Sequence, residues 1–152
     1  MARNALLTWF SFVLCTAVLW AALPAFAQDD SAQLIRALEL KRSDAVAVLE
    51  PDPFLAPRIA DRVRKVINFN DPAALAQRVD VIVLYDALHG IPHRAEFYPK
   101  LRRLLRLGGR VVDIDLPSGL PEAQAVQEFT AAGFHITKSV ALLPLQYFQV
   151  FE

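Results

Sequence analysis

Val81-Ile82-Val83-Leu84-Tyr85, then Phe97-Tyr98-Pro99-Lys100-Leu101-Arg102-Arg103-Leu104-Leu105-Arg106-Leu107, then Arg110-Val111-Val112-Asp113-Ile114-Asp115-Leu116 stand in that order between Asp80 and Leu116 and decide the fold. The first run is apolar throughout and β-branched at Val81, Ile82 and Val83, which suits a strand buried on both faces. In the second, Phe97, Leu101, Leu104 and Leu105 fall at i, i+4, i+7 and i+8, one stripe of a helix, with Lys100, Arg102, Arg103 and Arg106 turned outward. Gly108-Gly109 reads as its C-cap, since glycine reaches the left-handed conformation a cap needs. The third run reads as another strand. Strand, crossover helix and strand make a βαβ unit with parallel strands.

Working outward, Pro121 starts a helix through about Ala131, capped by Gly133. His135 to Ala141 and Tyr147 to Phe151 read as strands, and the link Leu142 to Gln146 is too short for a crossover, so the pair is antiparallel. Upstream, Ala45 to Leu49 is a buried strand. Asp52-Pro53 reads as a helix start, cap then proline, and the helix to about Lys65 buries Leu55, Ile59 and Val63. Val66 to Phe69 is a further strand and Ala73 to Ala76 a single helical turn. Ser31 caps a short helix from Ala32 to Leu40. Strands alternating with helices and closing on a hairpin give a three-layer α/β sandwich.

The stretches Asp80-Val81-Ile82-Val83-Leu84 through Asp86 and His89, and Leu104-Leu105-Arg106-Leu107-Gly108-Gly109-Arg110-Val111-Val112-Asp113-Ile114-Asp115, resemble the second half of a class I S-adenosylmethionine-dependent methyltransferase. That family carries a strand like "DLVLxxDxxHHI" and a helix ending "LLKPGGRLVIID". Here Leu107 stands for the usual proline and Gly90 for the second histidine. Ala131-Ala132-Gly133-Phe134 matches the family's "AAGF", and the closing hairpin resembles its last two strands. The resemblance covers roughly residues 45 to 152. It implies a Rossmann-like methyltransferase sheet of six strands shortened by the first, in spatial order 2-1-3-4-6-5, with strand 6 antiparallel to its neighbours.

It also implies S-adenosylmethionine as cofactor and an acceptor substrate that no motif here specifies. In the family a glycine-rich loop follows the first strand, because backbone must approach the cofactor closely, and an acidic residue ending the second strand holds the ribose. Val46 to Pro53 resembles that second strand, which makes Glu50 the ribose acid. The five glycines lie at 90, 108, 109, 119 and 133, none upstream of Glu50, so the cofactor cradle is missing. A second alignment puts Ala45 to Leu49 in the first-strand slot, with Glu50-Pro51-Asp52-Pro53 replacing the glycines. Asp71 stands where the family loop contacts adenine, and Asn70-Asp71-Pro72 is also an ordinary turn. Asp86 and His89 follow a strand's C-terminal end, where open α/β sheets bind ligands, and are the candidate catalytic pair. An imidazole titrates near neutrality, so His89 is a candidate general base. Otherwise it packs over the sheet edge.

Asn4 to Gln28 carries no charge, and Ala25-Phe26-Ala27 ends in a cleavage pattern. Residues 1–27 therefore read as a signal peptide and 28–152 as the domain, periplasmic or secreted. The rival reading is an uncleaved membrane anchor. Cleavage removes Cys15, the single cysteine, and Arg3, leaving 15 basic against 16 acidic residues. No one-signed field recommends nucleic acid, and the basic run Arg102, Arg103, Arg106, Arg110 reads as a solvated face. With the three histidines scattered and no cysteine left, no metal is expected. No G-x-S-x-G occurs, so a serine hydrolase is unsupported.

Overall fold

A computed structural model describes residues 31–49, 55–143 and 145–152, and Ile35 to Glu152 form one compact unit. Backbone 31–37 is helical (α1). The remaining elements are β1 (Ala45–Leu49), α2 (Leu55–Ala60), β2 (Lys65–Phe69), β3 (Val79–Tyr85), α3 (Arg94–Leu104), β4 (Leu105–Asp115), α4 (Glu122–Ala131), β5 (Ile136–Leu143) and β6 (Gln146–Phe151). They build a six-stranded sheet in the order β2-β1-β3-β4-β6-β5. β1, β2, β3 and β4 run parallel, and β6 lies antiparallel between β4 and β5. The expected order, the hairpin and the three-layer class all stand. Among the described residues, no helix is long and apolar enough to cross a membrane.

Burial follows strand position. β1 is buried at all five positions, because parallel neighbours flank it and helices cover parallel sheets. β2, in which Lys65 and Asn68 interrupt the apolar residues, is the sheet edge, and only Phe69 is fully buried. On one face of the sheet, α3 and α4 present Phe97, Tyr98, Leu101, Ala125 and Phe129 to Val111, Tyr147 and Phe151. Phe129 stacks on Phe151 with centroids 4.0 Å apart and meets Tyr98 at 4.4 Å and Phe134 at 5.5 Å.

Three boundaries differ from the sequence expectation. Helix α3 begins at Arg94 and ends at Leu104, so Leu105 already pairs with Val79 as the first residue of β4. The next pair is Val81 with Arg110, and the residues between bulge out of the ladder. Gly108 turns that bulge at φ 74°, leaving Leu107 wholly exposed. The glycine pair thus shapes a strand bulge rather than a helix cap, since both need positive φ. Gly109 is held to glycine for space: a Cβ there would lie 3.0 Å from the carbonyl oxygens of Arg106 and Asp80. Helix α2 stops at Ala60, and Val63 is half-buried in the turn beyond. Its start at Pro53 lies outside the described residues.

The basic run is not one solvated face. Arg102 donates to the Gly133 carbonyl (2.6 Å), and Arg106 pairs with Asp80 (2.7 Å). Arg110 donates to the carbonyls of Leu38 and Glu39. The boundary shift accounts for Arg106, which leaves the helix and joins Arg110 on β4.

Candidate functional site

At the C-terminal ends of β3 and β4, three side chains the sequence holds far apart come together. Asp86 follows β3 with φ 49°, a left-handed conformation uncommon outside glycine, and its N–H donates to the Ile114 carbonyl (2.8 Å). That bond ties the loop to β4. A short 3₁₀ turn, Leu88–Gly90, buries Leu88 and brings His89 back over the strand ends. His89 Nδ1 lies 3.5 Å from Asp86 Oδ1 and 3.8 Å from Asp115 Oδ1. Gly119 backs the imidazole so closely that a Cβ there would lie 3.1 Å from His89 Cβ. Asp86 and His89 are half-exposed, whereas the Asp115 side chain is fully buried.

Asp115 and Asp113 were legible only as parts of an apolar strand. Spaced two apart, they share one face of β4. Asp115 Oδ1 accepts from the Leu116 N–H (2.7 Å), while Oδ2 has no hydrogen-bond partner among the described residues. Burial, more than any other influence, raises the Asp115 carboxyl above the usual range, against the Leu116 N–H that lowers it, and the charge of Asp86 adds to the rise. Asp113 is wholly buried beside Gln149, and burial pushes its carboxyl well up, with Asp115 adding to the effect. The Tyr147 hydroxyl approaches Asp113, but the pair falls short of hydrogen-bond geometry. The signal the sequence did carry was two aspartates inside an otherwise apolar strand.

Asp71 lies elsewhere, at the end of β2. Its carboxylate accepts from the Ala73 N–H (2.9 Å) and caps the 3₁₀ turn Pro72–Ala74 that replaces the expected helical turn. A cavity of about 320 Å³ opens there, with Leu49, Asn70 and Asp71 on one side and Ile91, His93 and Phe97 on the other. It is small but within the range of ligand sites. Glu50 lies outside the described residues. The candidates therefore divide: Asp71 belongs to the β1–β2 cavity, and Asp86 with His89 to the β3–β4 end. His93 and His135 are exposed.

Behind these ends, Arg94 makes a two-pronged contact with Glu128 (2.7 and 3.0 Å), and the Tyr98 hydroxyl donates to the same carboxylate (2.8 Å). The Arg94 hydrogen bonds hold Glu128 down to about 2. This cluster joins α3 to α4 and so fixes the helices under the strand-end loops.

No protein-family model matches the sequence, and no curated protein does. Solved structures do resemble it. A SAM-dependent methyltransferase from Aquifex aeolicus superposes with a TM-score of 0.67 at 13% identity, covering 80% of this chain and 88% of that one. The DhpI–SAH complex gives 0.66 at 13% identity and covers 93% of each chain. The SAH-bound form of CalO1, a methyltransferase in calicheamicin biosynthesis, gives 0.59 at 19% identity, covering 97% of this chain and 60% of that one. The chain has the Rossmann-like fold of S-adenosylmethionine-dependent methyltransferases.

Proposed function

We propose that this chain is an exported protein on the methyltransferase fold whose cofactor site is degenerate, so that it binds S-adenosylmethionine weakly or not at all and serves as a binding or structural module. The observation that carries the reading is the topological switch point at the end of β1, taken with the sequence that follows it. From β1 the chain passes to β2 on one side of the sheet and then to β3 on the other. Ligands of open α/β sheets bind in the crevice such a reversal leaves beyond the strand ends. The segment leaving β1 reads Glu50-Pro51-Asp52-Pro53-Phe54.

Where the second alignment sets Glu50-Pro51-Asp52-Pro53 in place of the family's glycines, two carboxylates would repel the carboxylate of the cofactor, and no glycine admits close approach of backbone. The cavity beside Asp71 suits a nucleoside, with an acid for ribose hydroxyls and Phe97 and Ile91 for a base. The residues present therefore fit the nucleoside half of the cofactor and not its amino-acid half. The strand order leaves open which strand is shortened. A doubly wound order 3-2-1-4-5 reduces to the same pattern whether its first or its outermost strand is lost. In the alignment that puts β1 in the first-strand slot, Asp71 rather than Glu50 stands near the ribose.

Calorimetric titration of S-adenosylmethionine into the purified chain tests this. Loss of three hydrogen bonds of roughly 1 kcal/mol each weakens binding on the order of a hundredfold, so heat should appear only near millimolar cofactor. Dissociation in the low micromolar range would restore the enzyme reading. For export, mass spectrometry of the periplasmic fraction should find a chain beginning near Gln28. Recovery only of full-length protein with membranes would establish an anchor instead.

A further inference from the structure

We infer that the end of the sheet at which β1, β2, β3 and β4 begin is a docking surface for an anionic lipid bilayer. The register fixes which segments meet there. Ala45 pairs with Lys65, Val46 with Val81 and Val79 with Leu105, so the four parallel strands open at one level. The segments entering them are basic. Lys41 and Arg42 precede β1, Arg64 and Lys65 lead into β2, Arg78 precedes β3, and Arg103 lies in the last turn of α3 just ahead of β4. All six are exposed, and none is in an ion pair among the described residues. The acids on the same segments are already met. Asp44 is buried and accepts from the Lys41 N–H, Asp80 pairs with Arg106, Glu39 pairs with Lys138, and Asp61 stands beside Arg62. The whole chain carries 16 basic and 16 acidic residues, so this field comes from the topology and not from net charge.

A second observation selects the partner. The bulge turned by Gly108 holds Leu107 wholly exposed at this same end, with Arg106 beside it. An apolar side chain among cations suits the boundary between lipid headgroups and acyl chains, where the leucine leaves water while the cations meet phosphates. A nucleic acid would meet the cations and leave the leucine in water. Single strands are also held on exposed aromatic rings, and no ring is among the large apolar side chains exposed on the described residues. Both readings of the uncharged stretch from Asn4 to Gln28, export and anchor, bring the chain to a bilayer. The opposite end of the sheet exposes Asp71 and Asp86, which an anionic surface repels. Docking therefore orients the domain with the cavity beside Asp71 away from the lipid.

Vesicles of phosphatidylcholine, alone or mixed with phosphatidylglycerol, test this on the full chain. Cys15→Ser removes the single native cysteine. An environment-sensitive fluorophore is then attached at Leu107→Cys or, as a control, at Leu145→Cys, an exposed position in the β5–β6 turn at the other end of the sheet. Emission from position 107 should move to the blue with the mixed vesicles only, and the shift should fade as salt is raised. The amount of mixed vesicle giving half the shift should rise about tenfold when Arg64→Glu and Arg103→Glu are combined, both at exposed positions where folding should survive. The readout is local, so it holds whether or not residues 1–27 also enter the bilayer. No shift with the mixed vesicles would overturn the proposal, whether or not polyuridylate produces one. So would an equal shift in neutral vesicles, an equal shift at position 145, or a response unchanged by the two substitutions. The cofactor titration addresses the opposite end of the sheet, so the two readings fail separately.

Discussion

β4 and β2 are both parallel strands with an aspartate at or just past the C-terminal end, yet the sheet treats them oppositely. β4 has a partner on each edge and is buried from Val111 to Asp115, whereas β2 is an edge with a single buried residue, Phe69. The difference reaches the strand ends. Asp115 is sealed in the core with one oxygen unpartnered among the described residues, while Asp71 is exposed and caps its own turn. Identical chemistry in the side chain thus becomes a strongly perturbed group in one place and an ordinary turn residue in the other. Sheet position decides which.

The contrast should be largest in stability. Phe129 packs on Tyr98, Phe134 and Phe151 beneath the β4 side of the sheet. Phe129→Ala should cost about 3–5 kcal/mol, because the cavity sits among rings that cannot all collapse into it. Ile67→Ala on half-buried β2 should cost only about 1 kcal/mol, since most of its surface loss is to solvent. Urea denaturation of both variants measures the gap. Equal losses would mean that β2 is as well packed as β4 and would break the comparison.

The next effect depends on pH. Glu128 has a folded pKa of about 2 against an ordinary 4.5, chiefly through its hydrogen bonds to Arg94. A depressed carboxylate contributes stability that is fully present above about 4.5. It is lost as pH falls from there toward 2. With the side chain 24% exposed, solvent screening reduces the contribution to on the order of 2 kcal/mol. Glu128→Gln should therefore be less stable than the parent at pH 7 by about that amount, and the two should converge near pH 2. A constant difference across the range would assign the loss to packing instead.

What could be read from the sequence follows the same division. Unbroken apolar runs and the short link at Leu142 to Gln146 were enough for six strands and the hairpin, because each signal is local or fixed by connection length; the spatial order of the strands came from the family resemblance. The end of α3 was not legible, because Leu104 and Leu105 continue the helical stripe while Leu105 in fact pairs with Val79. Only the tertiary ladder decides that. Asp86 and His89 could be named as strand-end residues. Asp115 could not be joined to them, since 26 residues separate it from His89 and the register of β3 with β4 alone brings the two ends together.

The smallest effect sharpens the comparison at Asp71. The structural and the ligand readings of this side chain make different demands on its two properties. Capping the 3₁₀ turn needs only an acceptor oxygen for the Ala73 N–H, which asparagine also supplies. Holding a pair of ribose hydroxyls needs two acceptor oxygens, which asparagine lacks. Asp71→Ala removes both and, at an exposed cap, should cost about 0.5 kcal/mol. Asp71→Asn should leave stability unchanged within error. If the cavity takes a nucleoside, adenosine binding followed by chemical-shift titration should weaken several-fold in Asp71→Asn as well as in Asp71→Ala. Adenosine binding that survives Asp71→Asn intact would make this carboxylate a turn residue and nothing more, and the β2 end would then hold no site at all.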